Sequence, residues 1–97
     1  MNKDFMEGLL EHAAKQVTEI KHKQHGDAKE SFKFVADLWS VYLETEVKPH
    51  DVPQMMALLK MARMKFGTYN VDDHIDAVGY TALTAKLHSA SNGIDVF

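Results

Sequence analysis

The chain contains no cysteine, which removes disulfides, thiolate zinc sites, iron–sulfur clusters and cysteine nucleophiles, and fits a reducing compartment. Positive charge is also scarce. Eleven Lys and Arg against fourteen Asp and Glu give a formal charge of −3, so the many phosphate contacts of a nucleic-acid binder are not provided for. No apolar run approaches the roughly 20 residues of a membrane helix, and the polar start Met1-Asn2-Lys3-Asp4 has no signal-peptide pattern. A cytoplasmic protein without membrane contact is expected. Two prolines, five glycines and 9% aromatics leave few breaks in the chain. What is present is an ordinary globular balance, 45% apolar and 26% charged over 97 residues, enough for one core and too little for a second, cofactor-binding domain.

Periodicity predicts an all-α fold, a bundle of four main helices that is expected to be oligomeric. Residues 1–90 are read as a single helical domain and 91–97 as a tail. From about Lys3 to Gln24, Met6, Leu10, Ala13, Val17 and Ile20 recur at four- and three-residue steps, the pattern of one amphipathic helix. His25-Gly26 stops it. Asp27 and Glu30 then start a second helix by capping, and Phe32, Val35, Leu38, Trp39, Tyr42 and Leu43 carry it to about Glu44.

Asp51-Val52-Pro53-Gln54 supplies a cap with proline in the first turn, where its missing N–H is harmless. Around this third helix Val52, Met55, Met56, Leu58, Leu59, Ala62 and Phe66 form one broad stripe, and Ala57, Met61 and Met64 form a second. A helix apolar on two sides is expected to be covered on two sides; its methionines are read first as core filling, and the second, methionine-rich side as the candidate for a subunit contact. Gly67 ends the helix, Asn70 or Asp72 caps a fourth, and Ile75, Val78, Gly79, Ala82 and Leu83 run to about His88. Gly79 and Ala82 are small enough to admit another backbone.

Arg63 is the misfit, because helical spacing puts it about 20° from Val52, inside the apolar stripe. A charge there requires a partner. Asp73 and Asp76 lie one turn apart on the fourth helix, with Tyr80 a turn further, and the short link after Gly67 makes helices three and four antiparallel neighbours. Two readings follow. Arg63, Asp76 and Tyr80 form a structural ion and hydrogen-bond cluster, or Asp73 and Asp76 give half of an octahedral magnesium site with Lys60 and Arg63 as nucleotide-binding cations. His22 and His25, at i and i+3, read as solvent-facing residues of a helix end; His50 has a loop role, and His12, His74 and His88 show no partner. No catalytic triad, phosphate loop or dinucleotide fingerprint is present.

The ordered set His25-Gly26-Asp27, Phe32, Leu38-Trp39-Ser40, Tyr42-Leu43, Pro49-His50-Asp51-Val52, Met55 to Lys60, Ala62-Arg63 and Asp76 to Tyr80 with Ala82-Leu83 resembles a family of small phage and prophage proteins of uncharacterised function. The resemblance covers about residues 9–88 and implies the cytoplasm of an infected or lysogenic host. More distantly, Asp73-x-x-Asp76-x-x-Gly79-Tyr80 after a helix with Lys60 and Arg63 resembles the all-α, MazG-like nucleoside triphosphate pyrophosphohydrolases. That resemblance implies a homo-oligomer, Mg2+ held by Asp73 and Asp76, and nucleotide as substrate or ligand. The Glu-Glu-x-x-Glu run of that group is missing here, so its ligands would have to be replaced by Glu44, Glu46 or Asp51, from this chain or another subunit. The contrasting expectation is a non-catalytic oligomeric module that binds a host or phage protein.

Overall fold

A computed structural model describes the chain over residues 4–20 and 27–94, with residues 19 and 20 described by their backbone alone. The described residues form four α-helices: α1 Phe5–Lys15, α2 Ala28–Leu43, α3 Asp51–Phe66 and α4 Val71–Ser91. A π-helical turn, Gln16–Ile20, continues α1. No strand occurs among the described residues, and no helix among them is long and apolar enough to cross a membrane.

Most boundaries follow local chemistry. Asp4 caps α1 by accepting from the N–H groups of Met6 (3.1 Å) and Glu7 (3.2 Å). Asp27 caps α2 through the Lys29 N–H, and Asn70 caps α4 through the Asp72 N–H at 3.0 Å. Each satisfies a donor that the first helical turn leaves without a partner. Two boundaries differ from expectation, one an end and one a start. The first helix does not run as a uniform α-helix to Gln24; its α-helical part ends at Lys15, where the wider π turn re-aims Val17 onto α4. Asp51 is the first residue of α3 rather than its cap, and its carboxylate reaches back to the Lys48 N–H at 2.9 Å. The expected stop at His25-Gly26, the pair His22 and His25, and the last residues 95–97 lie outside the described residues.

The helix α4 is the shared element, packed against α3 on one side and α1 with its π turn on the other. Its buried residues fall accordingly on two faces, Asp73, Ala77 and Leu87 on one and Ile75 and Gly79 on the other. Two contacts fix how α3 lies on α4: the Lys60 ammonium meets Asp76 at 2.9 Å, and the His50 and His88 rings stack 3.9 Å apart. Residue numbers fall along one helix as they rise along the other, so the pair is the expected antiparallel hairpin. Gly79 lies so close to the π turn that a Cβ there would meet Val17 Cγ1 at 2.9 Å. What approaches Gly79 is thus a side chain and not a backbone, and Ala82 is exposed.

Packing reverses the expected sides of α3. Pro53 and Ala57 are buried and Lys60 and Met64 half-buried, the i, i+4, i+7, i+11 series that faces α4. Val52 and Met56 face α2, which contributes Phe32, Val35, Ala36 and Trp39 to a small cluster with Val47 and Val52. Most of the broad stripe is therefore outside: Met55, Leu58, Leu59 and Phe66 are exposed, as is Met61. The corner between α2 and α3 is tied by Ser40, whose hydroxyl donates to the Ala36 carbonyl (2.7 Å) and accepts from the Val47 N–H (2.8 Å). Glu44 makes that corner possible by taking the left-handed conformation at φ 56°.

Candidate functional site

Of the residues singled out in the sequence, Lys60 and Asp76 meet where the second half of α3 crosses the first half of α4. Asp73 stands in the first turn of α4, near the positive end of the helix dipole, and is buried. Asp76, one turn on, is paired with Lys60 of α3. The pair is partly sheltered, with side-chain exposures of 14% for Lys60 and 29% for Asp76, so its attraction is less screened than that of a surface pair.

The cation that answers Asp76 is thus Lys60. Arg63, placed inside the apolar stripe by the sequence pattern, is exposed, because the stripe it belongs to is itself on the outside. It needs no buried partner, and the Arg63–Asp76–Tyr80 cluster reduces to Lys60–Asp76. Tyr80 is half-buried on α4, with its carbonyl accepting from the Thr84 hydroxyl at 2.9 Å. The acids named as substitute ligands are elsewhere: Glu44 and Glu46 are exposed in the link after α2, and Asp51 is engaged with Lys48.

Among the described residues no group of three or more His, Asp or Glu is placed to hold a metal ion. The donor set at the crossing is two carboxylates, one of them already neutralised by an ammonium, whereas magnesium asks for six oxygens and is held by carboxylates together with water or substrate. Asp73 and Asp76 in one copy of the chain do not therefore fit a magnesium centre by themselves.

The structure brings together histidines that the sequence left apart. His50, at the start of α3, stacks on His88 at the end of α4 with ring planes 6° apart, and its Nε2 is 3.7 Å from the Asp51 carboxylate. His74 lies against Tyr69 with ring centroids 5.9 Å apart, and His12 Nε2 is 3.2 Å from Gln16 Nε2. All three histidines read as lacking a partner have one. The hairpin register creates the first contact from residues 38 positions apart, which no local spacing reveals.

A second feature had no signal in the periodicity. Between α1 and the start of α4 runs an open groove of about 280 Å3, lined by Asp4, Phe5, Gly8, Leu9, His12, Val71 and Ile75. Its walls are mainly apolar, and Gly8, a glycine inside a helix, is the one trace of it in the sequence.

With this geometry in place, the chain can be set beside known proteins. A family model described as Domain of unknown function (DUF6378) matches residues 8–88. The chain belongs to that family. It is 35% identical over 82 residues to the Gene 55 protein of Mycobacterium phage D29, covering 84% of this chain and 54% of that protein. It is also 35% identical over 80 residues to the Gene 55 protein of Mycobacterium phage L5, covering 81% of this chain and 51% of that one. The chain thus spans about half the length of the curated relatives it matches. No solved structure matches it significantly. The DUF6378 chain is a small helical protein of a phage family, and the matched region takes in all of α2 and α3 and most of α1 and α4.

Proposed function

We propose that this DUF6378 chain is a non-catalytic, oligomeric protein-binding module. The observation that carries the reading is the distribution of large apolar side chains: Phe34, Leu38, Val41, Tyr42, Leu59 and Phe66 are all exposed on helix faces. Exposed apolar surface in such quantity marks a surface that associates. The charged residues of the crossing add to this reading from the other side, because Lys60 and Asp76 satisfy one another and have structural work to do. A partner suited to these faces is another protein with a complementary apolar helix surface, from phage or host, and the module acts wherever that partner is.

A second reading is a nucleotide pyrophosphohydrolase-like scaffold that acts on or binds nucleotides, and one observation favours it. Asp73 and Asp76 lie a turn apart, with Asp76 beside a lysine at a helix crossing and with Arg63 exposed where it could reach a phosphate. It requires further acidic ligands from outside the crossing.

Phosphate and pyrophosphate release from the common nucleoside triphosphates, measured with magnesium and with manganese, separates the two. The binding-module reading expects no release by the wild-type chain. Release that disappears in a folded Asp76→Asn variant would instead establish a metal-dependent hydrolase.

A further inference from the structure

Two apolar stripes stand on the outside of the folded chain. On α2, Phe34, Leu38 and Val41 recur at i, i+4 and i+7 with Tyr42 beside them, away from the side where Val35, Ala36 and Trp39 enter the core cluster. On α3, Met55, Leu59, Ala62 and Phe66 recur at i, i+4, i+7 and i+11 with Leu58 on one flank and Arg63 at the other edge. Of the charges of α2, Lys29, Lys33 and Asp37 occupy a third side of that helix, and Glu30 stands one turn before Phe34 at the N-terminal end of the stripe. Neither stripe has an acid or base in its middle, and the series on α3 has the spacing of a helix-pairing seam.

The amount of surface says what kind of cover is missing. On the α2 stripe Phe34 is 65% exposed and Tyr42 86%, and on the α3 stripe Phe66 is 84% exposed and Leu58 55%. With the other large apolar residues of the two stripes they present roughly 900 Å2 of side-chain surface per chain, about what each partner contributes to an interface of standard size.

The core says how permanent the cover must be. Among the described residues the buried apolar side chains number nine, four of them alanine and one proline, which is little to set against the entropy of ordering the chain. A partner met only occasionally would leave the fold under-supported between encounters. A second copy is present whenever the first is made, and a two-fold axis lets one self-complementary patch serve both chains.

We propose that a second copy of this chain covers the Met55–Leu59–Ala62–Phe66 face of α3 together with the Phe34–Leu38–Val41 face of α2, so that the folded unit is a two-fold dimer. This names the first partner of the binding surface proposed above and rests on that reading. It moves the subunit contact from the Ala57 and Met64 side of α3, which α4 occupies, to the opposite side of the helix.

The test is size-exclusion chromatography with light scattering, and thermal unfolding followed by circular dichroism, on the 97-residue chain from about 1 to 100 µM. Wild type is expected at twice 11.0 kDa, with a melting temperature that rises with concentration. Leu59→Glu and Leu38→Glu each weaken association by about a hundredfold or more, while Lys29→Ala, on the charged side of α2, leaves it unchanged. Both leucines are exposed in the single chain; should either variant fail to fold, the wild-type concentration series decides the matter. A wild-type monomer whose melting temperature ignores concentration overturns the proposal, as does a dimer that both glutamates leave intact. A chain that gains mass only when a different phage or host protein is added would assign these faces to that protein. Monomer without nucleotide turnover removes the dimer and the oligomeric part of the proposed function and keeps its non-catalytic, protein-binding part; dimer with turnover that depends on Asp76 keeps the dimer and removes the non-catalytic reading.

Discussion

The α3–α4 hairpin and helix α2 use similar residues in opposite ways. Within the hairpin, small side chains are inside: Ala57 and Ala77 are buried, and Lys60–Asp76 and His50–His88 pin the two helices at separate levels. Helix α2 buries one residue, Ala36, and is held at one corner by Val47, Val52 and Ser40. Its larger apolar residues, Phe34, Leu38, Val41 and Tyr42, are outside. The difference teaches that small buried side chains and two cross-helix contacts hold the hairpin, whereas α2 is an arm whose larger apolar residues face away from its own chain.

The sharpest way to break that contrast is to enlarge Ala57, which has no exposed surface and lies on the seam with α4. Ala57→Leu adds three carbons where helices touch, and overpacking of this kind costs about 3 kcal/mol. Urea unfolding at a fixed protein concentration is the measurement, since association shifts apparent stability. A loss under about 1 kcal/mol would show that the seam yields easily and that the hairpin is no more tightly packed than α2.

Ser40→Ala tests the arm. Removing the hydroxyl takes away the acceptor of the Val47 N–H and the link back to Ala36. Val47 is buried, so its N–H has little access to water and the loss is about 2 kcal/mol. Hydrogen exchange should rise at Val47 and along α2 well before it rises in α4. If protection in α2 and α4 falls together, α2 is not a separately anchored element.

These features were unequally legible in the sequence. The helices, the Asn70 cap, the position of Pro53 and the stop at Gly67 could be read locally, since each depends on residues within one turn. The roll of α3 could not. That helix is apolar nearly all round, so its periodicity selects no single inward face, and Lys60 on the inner side reads as a polar interruption. Lys60 and Arg63 differ by only about 60° around the helix axis, and which of them meets Asp76 depends on where α4 lies. Ser40 was legible only as one serine in a helix, because its partner is seven residues away across a left-handed turn at Glu44. Asp73 and Asp76 stand one turn apart, and Asp76 pairs with Lys60, but spacing along one helix says nothing about a third ligand from another element.

The smallest effect sharpens the comparison most, because the two regions each contain one lysine–aspartate pair. Lys33 and Asp37 lie 3.3 Å apart on α2 with side chains 70% and 67% exposed, and Lys60 and Asp76 lie 2.9 Å apart across the hairpin, largely sheltered. Replacing either lysine by methionine keeps the aliphatic stem and removes the charge. For Lys33→Met the expected loss is under about 0.5 kcal/mol and falls further in salt, as for other i, i+4 pairs in water. For Lys60→Met it is about 1 to 2 kcal/mol, because Asp76 is left half-buried without its counter-charge. Adding Asp76→Asn to Lys60→Met should then cost little more, while Asp37→Asn and Lys33→Met should be small and additive. Equal losses for the two lysines would mean that Lys60 is as well solvated as Lys33, and the hairpin would lose its claim to be held by charge as well as by packing.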